Sequence, residues 1–504
     1  MSRPFFRLGR LPTAIVIAAL TFSIAADALP VHQAKLTASD GAAGDAFADV
    51  AVSGDTVVVG AFAADVAGHT DQGAAYVFVR TSGVWTQQAK LTADDGAANN
   101  GFGGDVAVSG DTALVGAPGR SAAYVFVRSS GVWTQQATLT ADDGPGGTFG
   151  KDVALDGNTA VVGAYQASPD GAAYVFVRSG STWSEQARLV ASDPAEGDKF
   201  GEDVSVSGNT VLIGAGRSSG PNPRGAAYVF VRSGTTWSQQ AKLIAADGTN
   251  LDLFGSAVSL SADTAIVGAS QQDTIGAGAA YVFVRSSGVW TQQAKLTASN
   301  GVLGDGFGIR VALENNTALI GSARTVTGHD DQGAAYLFLR NGGSWSQQAE
   351  VLACDGAASD NFSAWQVALG GDTAVIGAGG DDIDGIVDRG AAYVFTGLST
   401  TGEFTDVPLI GCPIRAVHIT ELRTRIDAQR VRFGLDAFGW TDTTVTAGAT
   451  LIRAQHIVDL RTALSEAYVA AGRTPPSYTE VITAGITAKA AHVEELRTAV
   501  VAIE

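Results

Sequence analysis

Residues Gly73–Arg80 read Gly-Ala-Ala-Tyr-Val-Phe-Val-Arg, and the run returns, lightly edited, six more times. Its tyrosines are Tyr76, Tyr124, Tyr174, Tyr228, Tyr281, Tyr336 and Tyr393, spaced 48, 50, 54, 53, 55 and 57 residues apart. A period near 50 residues, built from short apolar runs and glycine turns, predicts a β-propeller.

One full repeat resolves into four strands. The first, Asp105–Val108, follows Phe102-Gly103 and ends in the tight turn Ser109-Gly110-Asp111-Thr112. The second is Ala113–Gly116, the third Ala122–Arg128, and the fourth runs from Trp133 to Leu139. Val, Tyr, Phe and Trp fill these strands, as expected where both sheet faces pack against neighbours. The end of strand four, Gln-Ala-Lys-Leu in Gln88–Leu91, also occurs once ahead of the first repeat, at Gln33–Leu36, and is missing after Tyr393–Phe395. Ring closure reconciles the two: the N-terminal strand completes the last blade and removes an exposed sheet edge. The expected fold is mainly β, a seven-bladed propeller of four-stranded blades closed by the N-terminal strand, plus a small all-α C-terminal domain.

Phe102-Gly103 followed by Val115-Gly116-Ala117-Pro118 resembles the FG-GAP repeat, which builds the seven-bladed propeller of integrin α chains and of many secreted bacterial proteins. Phe149-Gly150, Phe200-Gly201, Phe254-Gly255 and Phe307-Gly308 repeat the first half, and Gly163-Ala164, Gly214-Ala215, Gly268-Ala269 and Gly377-Ala378 the second. The resemblance covers residues 31–397 and implies extracellular binding or adhesion, often with Ca²⁺ in the loops. Integrin-type calcium sites lie between strands one and two. Here those turns are four-residue hairpins such as Ser53-Gly54-Asp55-Thr56, too short to wrap a cation that takes about six to eight oxygens.

The formal net charge of −18 argues against nucleic acid, whose phosphates need clustered Lys and Arg. Residues 1–28 read as a bacterial secretory signal peptide: Arg3, Arg7 and Arg10, the apolar stretch Leu11–Ala25, then Ala26-Asp27-Ala28. The propeller is assigned to residues 29–400 and a helical module to 401–504. No segment after the signal is read as a membrane span, and a monomer is expected. Cys354 and Cys412 would staple propeller to module if paired; equally, they are two small unpaired residues. No catalytic motif survives inspection. Gly216–Gly220 matches Gly-x-Ser-x-Gly by letter, but Pro221 follows instead of a helix.

Candidate function lies in two loop sets on one face of the ring. Asp40, Asp95, Asp143, Asp193, Asp247 and Asp355, between strands four and one, recur in nearly every blade, which favours a turn role. The loops between strands two and three vary, spanning 13, 5, 8, 11, 10, 12 and 13 residues. The longest belong to blades one, six and seven, which closure makes adjacent. They offer His69, Asp71, His329, Asp330 and Asp331 as candidate ligand-binding residues, and Asp381, Asp382, Asp384 and Asp388 as candidate Ca²⁺ ligands. A solvated acidic rim is the competing reading. Asp49, Asp105, Asp152 and Asp203 open strand one in blades one to four and are expected to bond to the neighbouring blade. Six tryptophans that open strand four, Trp85 through Trp345, are expected to pack; a sugar-stacking platform is the alternative.

The tail carries three helical segments with His418/Glu421, His456/Asp459 and His492/Glu495 at i, i+3, each expected to form a local pair. It holds 12 acids against 10 bases after residue 402, so the acidity belongs to the propeller. The expected function is a secreted, non-enzymatic binding or adhesion protein for an extracellular protein or glycan, with no certain cofactor. A polysaccharide-acting propeller enzyme and a surface-display scaffold are the alternatives.

Overall fold

The computed structural model describes residues 31–503 except 145, 169, 195–196, 217–224, 250–251, 271–276, 324–330, 354, 399–415, 446–451 and 483–488. The signal segment, His329, Asp330, Cys354 and Cys412 lie outside the described residues.

Residues 31–396 form seven four-stranded antiparallel sheets. In the second blade the strands are Val106–Ser109, Thr112–Ala117, Ala122–Ser129 and Val132–Leu139. Strand two is buried along its whole length, because a neighbouring blade covers each face, whereas strand four alternates toward solvent at the rim. Val31–Leu36 pairs with Ala391–Thr396 and so completes the seventh sheet, with Lys35 opposite Tyr393 and Leu36 opposite Ala392. The ring closes as the repeat arithmetic requires.

The Phe-Gly signature holds each blade to the next. Phe102 is fully buried, with its ring 5.4 Å from Tyr124 and 5.9 Å from Phe126 of the same blade. Edge-on contacts of this kind contribute about 0.5–1.5 kcal/mol beyond area burial. The glycines mark where backbones touch. A Cβ on Gly116 would stand 2.2 Å from the carbonyl oxygen of Gly150 in the following blade. The first and seventh blades carry the same motif as Phe47-Ala48 and Phe362-Ser363, without the second glycine. Ser363 sits at φ 70° and hydrogen-bonds Ala334 O through its hydroxyl.

The C-terminal region forms three helices, α1 (Ala416–Arg432), α2 (Ala454–Ala470) and α3 (Ala490–Ile503). Ile419, Leu422, Ile426, Ile457, Leu460, Leu464, Val493, Leu496 and Val500 bury one face of each in a common core.

Candidate binding face

Most side chains that recur in every blade are committed to holding the ring together. Strand four carries a bulge opposite the Val-Phe step of strand three, as at Val77/Phe78. The bulged residue is the second glutamine of Gln-Gln-Ala, left without a backbone partner opposite it. That glutamine takes the tryptophan of the next blade: Trp133 Nε1 donates to Gln88 Oε1 at 2.9 Å, and Trp183 to Gln136 at 3.0 Å. The glutamine before it accepts a loop amide from the preceding blade, as Gln87 Oε1 does from Ser39 N at 3.0 Å. Arg80 stacks over Trp85 and also holds Asp55 in the first hairpin turn. The tryptophans therefore pack, and their indole N–H groups face a neighbouring blade.

The loop aspartates are structural too. The Tyr76 hydroxyl donates to Asp40 at 2.9 Å, and Lys90, opposite Tyr76 on strand four, donates to the other oxygen at 2.7 Å. The arrangement recurs with Asp193 and Lys242, Asp247 and Lys295, Asp143 and Arg188, and Asp355 and Lys35. Blade two has threonine at the lysine position and recruits Arg120 to Asp95. Blade six has asparagine for the aspartate and glutamate for the lysine, with Asn300 Nδ2 donating to Glu350 Oε2 at 3.0 Å.

The long loops of blades one and seven share one conformation. In residues 65–71, Val66 and His69 exchange backbone hydrogen bonds, and Asp65 Oδ1 accepts the Asp71 amide at 3.0 Å. In residues 382–388, Ile383 and Ile386 do the same, and Asp382 Oδ1 accepts the Asp388 amide at 2.9 Å. Asp71, Asp331 and Asp388 all sit in the left-handed region, at φ 50°, 53° and 50°. Aspartate tolerates that conformation better than most residues, which accounts for its recurrence there. His69 lies exposed at the tip of its loop, with Asp331 exposed on blade six.

The four candidate calcium ligands do not converge. Asp381 is buried and turns inward, with Oδ2 2.8 Å from Lys35 Nζ and in contact with the Tyr393 hydroxyl. Asp382 holds the Asp388 amide, and Asp384 faces Arg389 at 3.6 Å. Among the described residues no three His, Cys, Asp or Glu side chains are disposed around a common cation.

The centre of the same face is different. Asp49, Asp105, Asp152 and Asp203 stand at the mouth of the central channel, around a cavity of about 280 Å³ that Lys151, Glu202, Ser256, Ser270, Arg310, Trp365 and Gln366 also line. Three of these carboxyls bridge to the next blade: Asp105 Oδ2 accepts Val153 N at 2.6 Å, Asp152 Oδ2 accepts Val204 N at 2.7 Å, and Asp203 bonds the Val258 amide. That bears out the expected blade-to-blade bond. Burial, with Asp105 next, pushes Asp49 up to about 8, and burial also pushes Asp203 to about 8. In blades five to seven the position is Ala257, Arg310 and Gln366. Arg310 donates to its neighbour's carbonyl, Ile309 O, and to Trp365 O. The Trp365 ring lies 5.7 Å from Phe62, where the long loop of blade one begins.

In the helical module the expected i, i+3 pairs do not form at α2 and α3. His456 Nδ1 accepts the Arg453 amide at 2.9 Å and its Nε2 lies 2.7 Å from Asp442. His492 repeats this with Lys489 and Glu480. Asp459 and Glu495 instead accept the Thr441 and Thr479 amides. Each histidine caps its own helix and fastens the preceding loop, because orphan amides of the first turn need acceptors. The His418 and Glu421 side chains lie outside the described residues.

A closed seven-bladed ring with unequal loops on one face defines a binding or scaffolding module. Seven matches to the FG-GAP repeat model span residues 30–78, 85–126, 133–176, 183–230, 237–283, 290–338 and 345–395, and the chain belongs to that family. FG-GAP repeats are typical of extracellular proteins, and among the described residues no helix is long and apolar enough to cross a membrane. The chain is similar in fold to Sqt1 of Saccharomyces cerevisiae, at 9% identity and TM-score 0.41, and to U3-55K, at 12% and 0.48; each likeness covers 73% of this chain and 99% of the other. No curated protein matches it.

Proposed function

We propose that the chain is a secreted, non-enzymatic binding or adhesion protein that takes an extracellular protein or glycan on the loop face of its propeller. One observation carries this reading. Polar side chains common to the blades are engaged in contacts within a blade or to the next one, while those that differ between blades gather on a single face. That face holds the exposed tips of residues 65–71 and 382–388 and the channel mouth between them and the ring centre. Loops raised on a rigid frame vary without loss of the core, which is why binding residues collect there. The apolar stretch Leu11–Ala25 behind three arginines supports export.

The test is a glycan and protein array probed with the full chain, with and without Ca²⁺. Discrete, saturable partners are expected, unchanged by a chelator because the loop carboxyls do not converge. Cleavage of a bound polymer would replace this reading with the polysaccharide-acting enzyme.

A further inference from the structure

The channel mouth gathers four carboxyl groups that lack a cationic partner among the described residues. None of Asp49, Asp105, Asp152 and Asp203 has a described cationic side chain within 4.0 Å, although Asp49 and Asp105 are buried and Asp152 and Asp203 half-buried. Buried carboxylates are ordinarily paired or metal-bound, since desolvation of a lone charge is costly. Here Arg310 is anchored to the carbonyls of Ile309 and Trp365, and Lys151 lies exposed at the rim.

The cavity also contains polar groups with nothing to bond. Among the described residues the carboxyl of Asp49, a residue 7% exposed, has no hydrogen-bond partner, unlike its three counterparts. Among the described residues the Ser256 hydroxyl, which lines the same cavity, is buried and unsatisfied. Such groups are rare in native proteins and each calls for an explanation. A bound ligand supplies one.

The chemistry of that ligand follows from what the wall offers. It has to be cationic, because the lining carries five carboxyls, counting Glu202, against Lys151 and Arg310. A bare metal ion fits poorly. Asp105 and Asp152 each commit Oδ2 to a backbone amide, and no three carboxyls converge. A divalent cation of the calcium type needs about six to eight oxygens at about 2.3–2.6 Å. An ammonium group has three directional donors, reaches acceptors at about 2.7–2.9 Å, and is held by a single carboxylate where a metal ion needs several oxygens. A cavity of about 280 Å³ suits a small molecule. The half-buried Trp365 ring, braced by Phe62, gives one wall an apolar surface for an alkyl chain.

We propose that the channel mouth binds a small aliphatic primary amine, its ammonium group held by Asp49 and its chain laid along Trp365. The serine hydroxyls of blade five accept or donate to a second polar end. Burial, with the neighbouring Asp105 second, pushes the Asp49 carboxyl up; a bound ammonium offsets both, so binding near neutral pH releases protons to the buffer. Asp105, Lys151 and Arg310 are the charged groups that face Asp49 in this exchange.

The experiment is titration calorimetry on the full chain with 1,4-diaminobutane, with tetramethylammonium as a cation lacking N–H donors and with Ca²⁺. Saturable diamine binding is expected, with a heat that changes with the ionisation enthalpy of the buffer. Tetramethylammonium and Ca²⁺ should each bind at least about tenfold more weakly, a difference of about 1.4 kcal/mol. Asp49→Asn should fold normally, since it removes a charge with no partner, and weaken the diamine at least about tenfold. Lys151→Gln, at an exposed side chain, should tighten it about twofold by removing a repelling charge. No saturable heat up to about 10 mM diamine, equal binding by tetramethylammonium, or unchanged affinity in Asp49→Asn would each overturn the site. A variant with residues 65–71 shortened should keep diamine binding, which separates this site from the loop-rim reading.

Discussion

Trp85 of the first blade donates its indole N–H to Gln33 Oε1 at 2.9 Å, and Gln33 lies on the strand that completes the seventh blade. The contact that joins any two blades along the rim thus also closes the ring, across 52 residues of sequence. Trp85→Phe and Gln33→Leu should each cost about 1 kcal/mol, the usual net worth of a hydrogen bond. The double variant should lose scarcely more than either single one, because both remove the same bond. Full additivity in chemical denaturation would show that the pair does not act as a unit.

Blade six provides an internal control for the Tyr-Asp-Lys sets. Its Tyr336 hydroxyl lies 3.2 Å from both Asn300 Oδ1 and Glu350 Oε1, where blades one, four, five and seven have aspartate and lysine. Asn300→Asp alone sets a carboxylate against Glu350 and should destabilise by about 1 kcal/mol. Adding Glu350→Lys rebuilds the arrangement of blade one and should recover the loss. A double-mutant cycle reads the coupling directly, and a coupling near zero would contradict the assignment.

The two classes of aspartate oppose one another in pH. Asp49 and Asp203 titrate near 8 when folded, against about 4 in the unfolded chain, so the native state holds extra protons between those values. Their contribution is present below about pH 4 and is lost as the pH rises through about 8. Hydrogen bonds from Tyr124 and Lys295 instead lower Asp95 and Asp247, whose contribution disappears as the medium becomes strongly acid. Melting temperature should therefore be highest in mild acid and fall toward about pH 9, less steeply in Asp49→Asn. A flat profile from about pH 5 to 9 in the parent chain would count against the channel-mouth electrostatics.

Gly116→Ala and Gly110→Ala separate two reasons for glycine. At Gly116 a Cβ would meet the Gly150 carbonyl at 2.2 Å, whereas at Gly110 it would meet nothing within 4 Å, at φ +57°. The first should cost at least about 2 kcal/mol through blade overlap, the second about 1 kcal/mol from conformation alone. Equal effects would argue against close backbone approach as the origin of the Gly-Ala half of the repeat.

The ring was legible because its cause is periodic. Tyr76 and its six counterparts recur at nearly constant spacing, and the stray strand at Gln33–Leu36 forces closure. What Trp85 and Gln33 do together was not legible, since a bulge decides which glutamine faces the next blade and no residue type announces a bulge. The kinship of Phe47-Ala48 and Phe362-Ser363 with the Phe-Gly signature was hidden by loss of the glycine. In the loops, the pattern Asp-x-x-Gly-x-x-Asp at 65–71 and 382–388 was readable, but its carboxyls resembled ligands until their backbone partners were seen. The partners of His456 and His492 are hidden from the sequence for a similar reason: Asp442 and Glu480, which meet them, lie in preceding loops.

The central claim is that function resides where the blades differ. Its most direct test replaces the exposed tips of the long loops of blades one and seven, residues 65–71 and 382–388, with short Gly-Ser turns and measures affinity for partners found on the array. The account predicts an unchanged ring, judged by its melting transition, and at least about tenfold weaker binding. Binding that survives the replacement intact would contradict it.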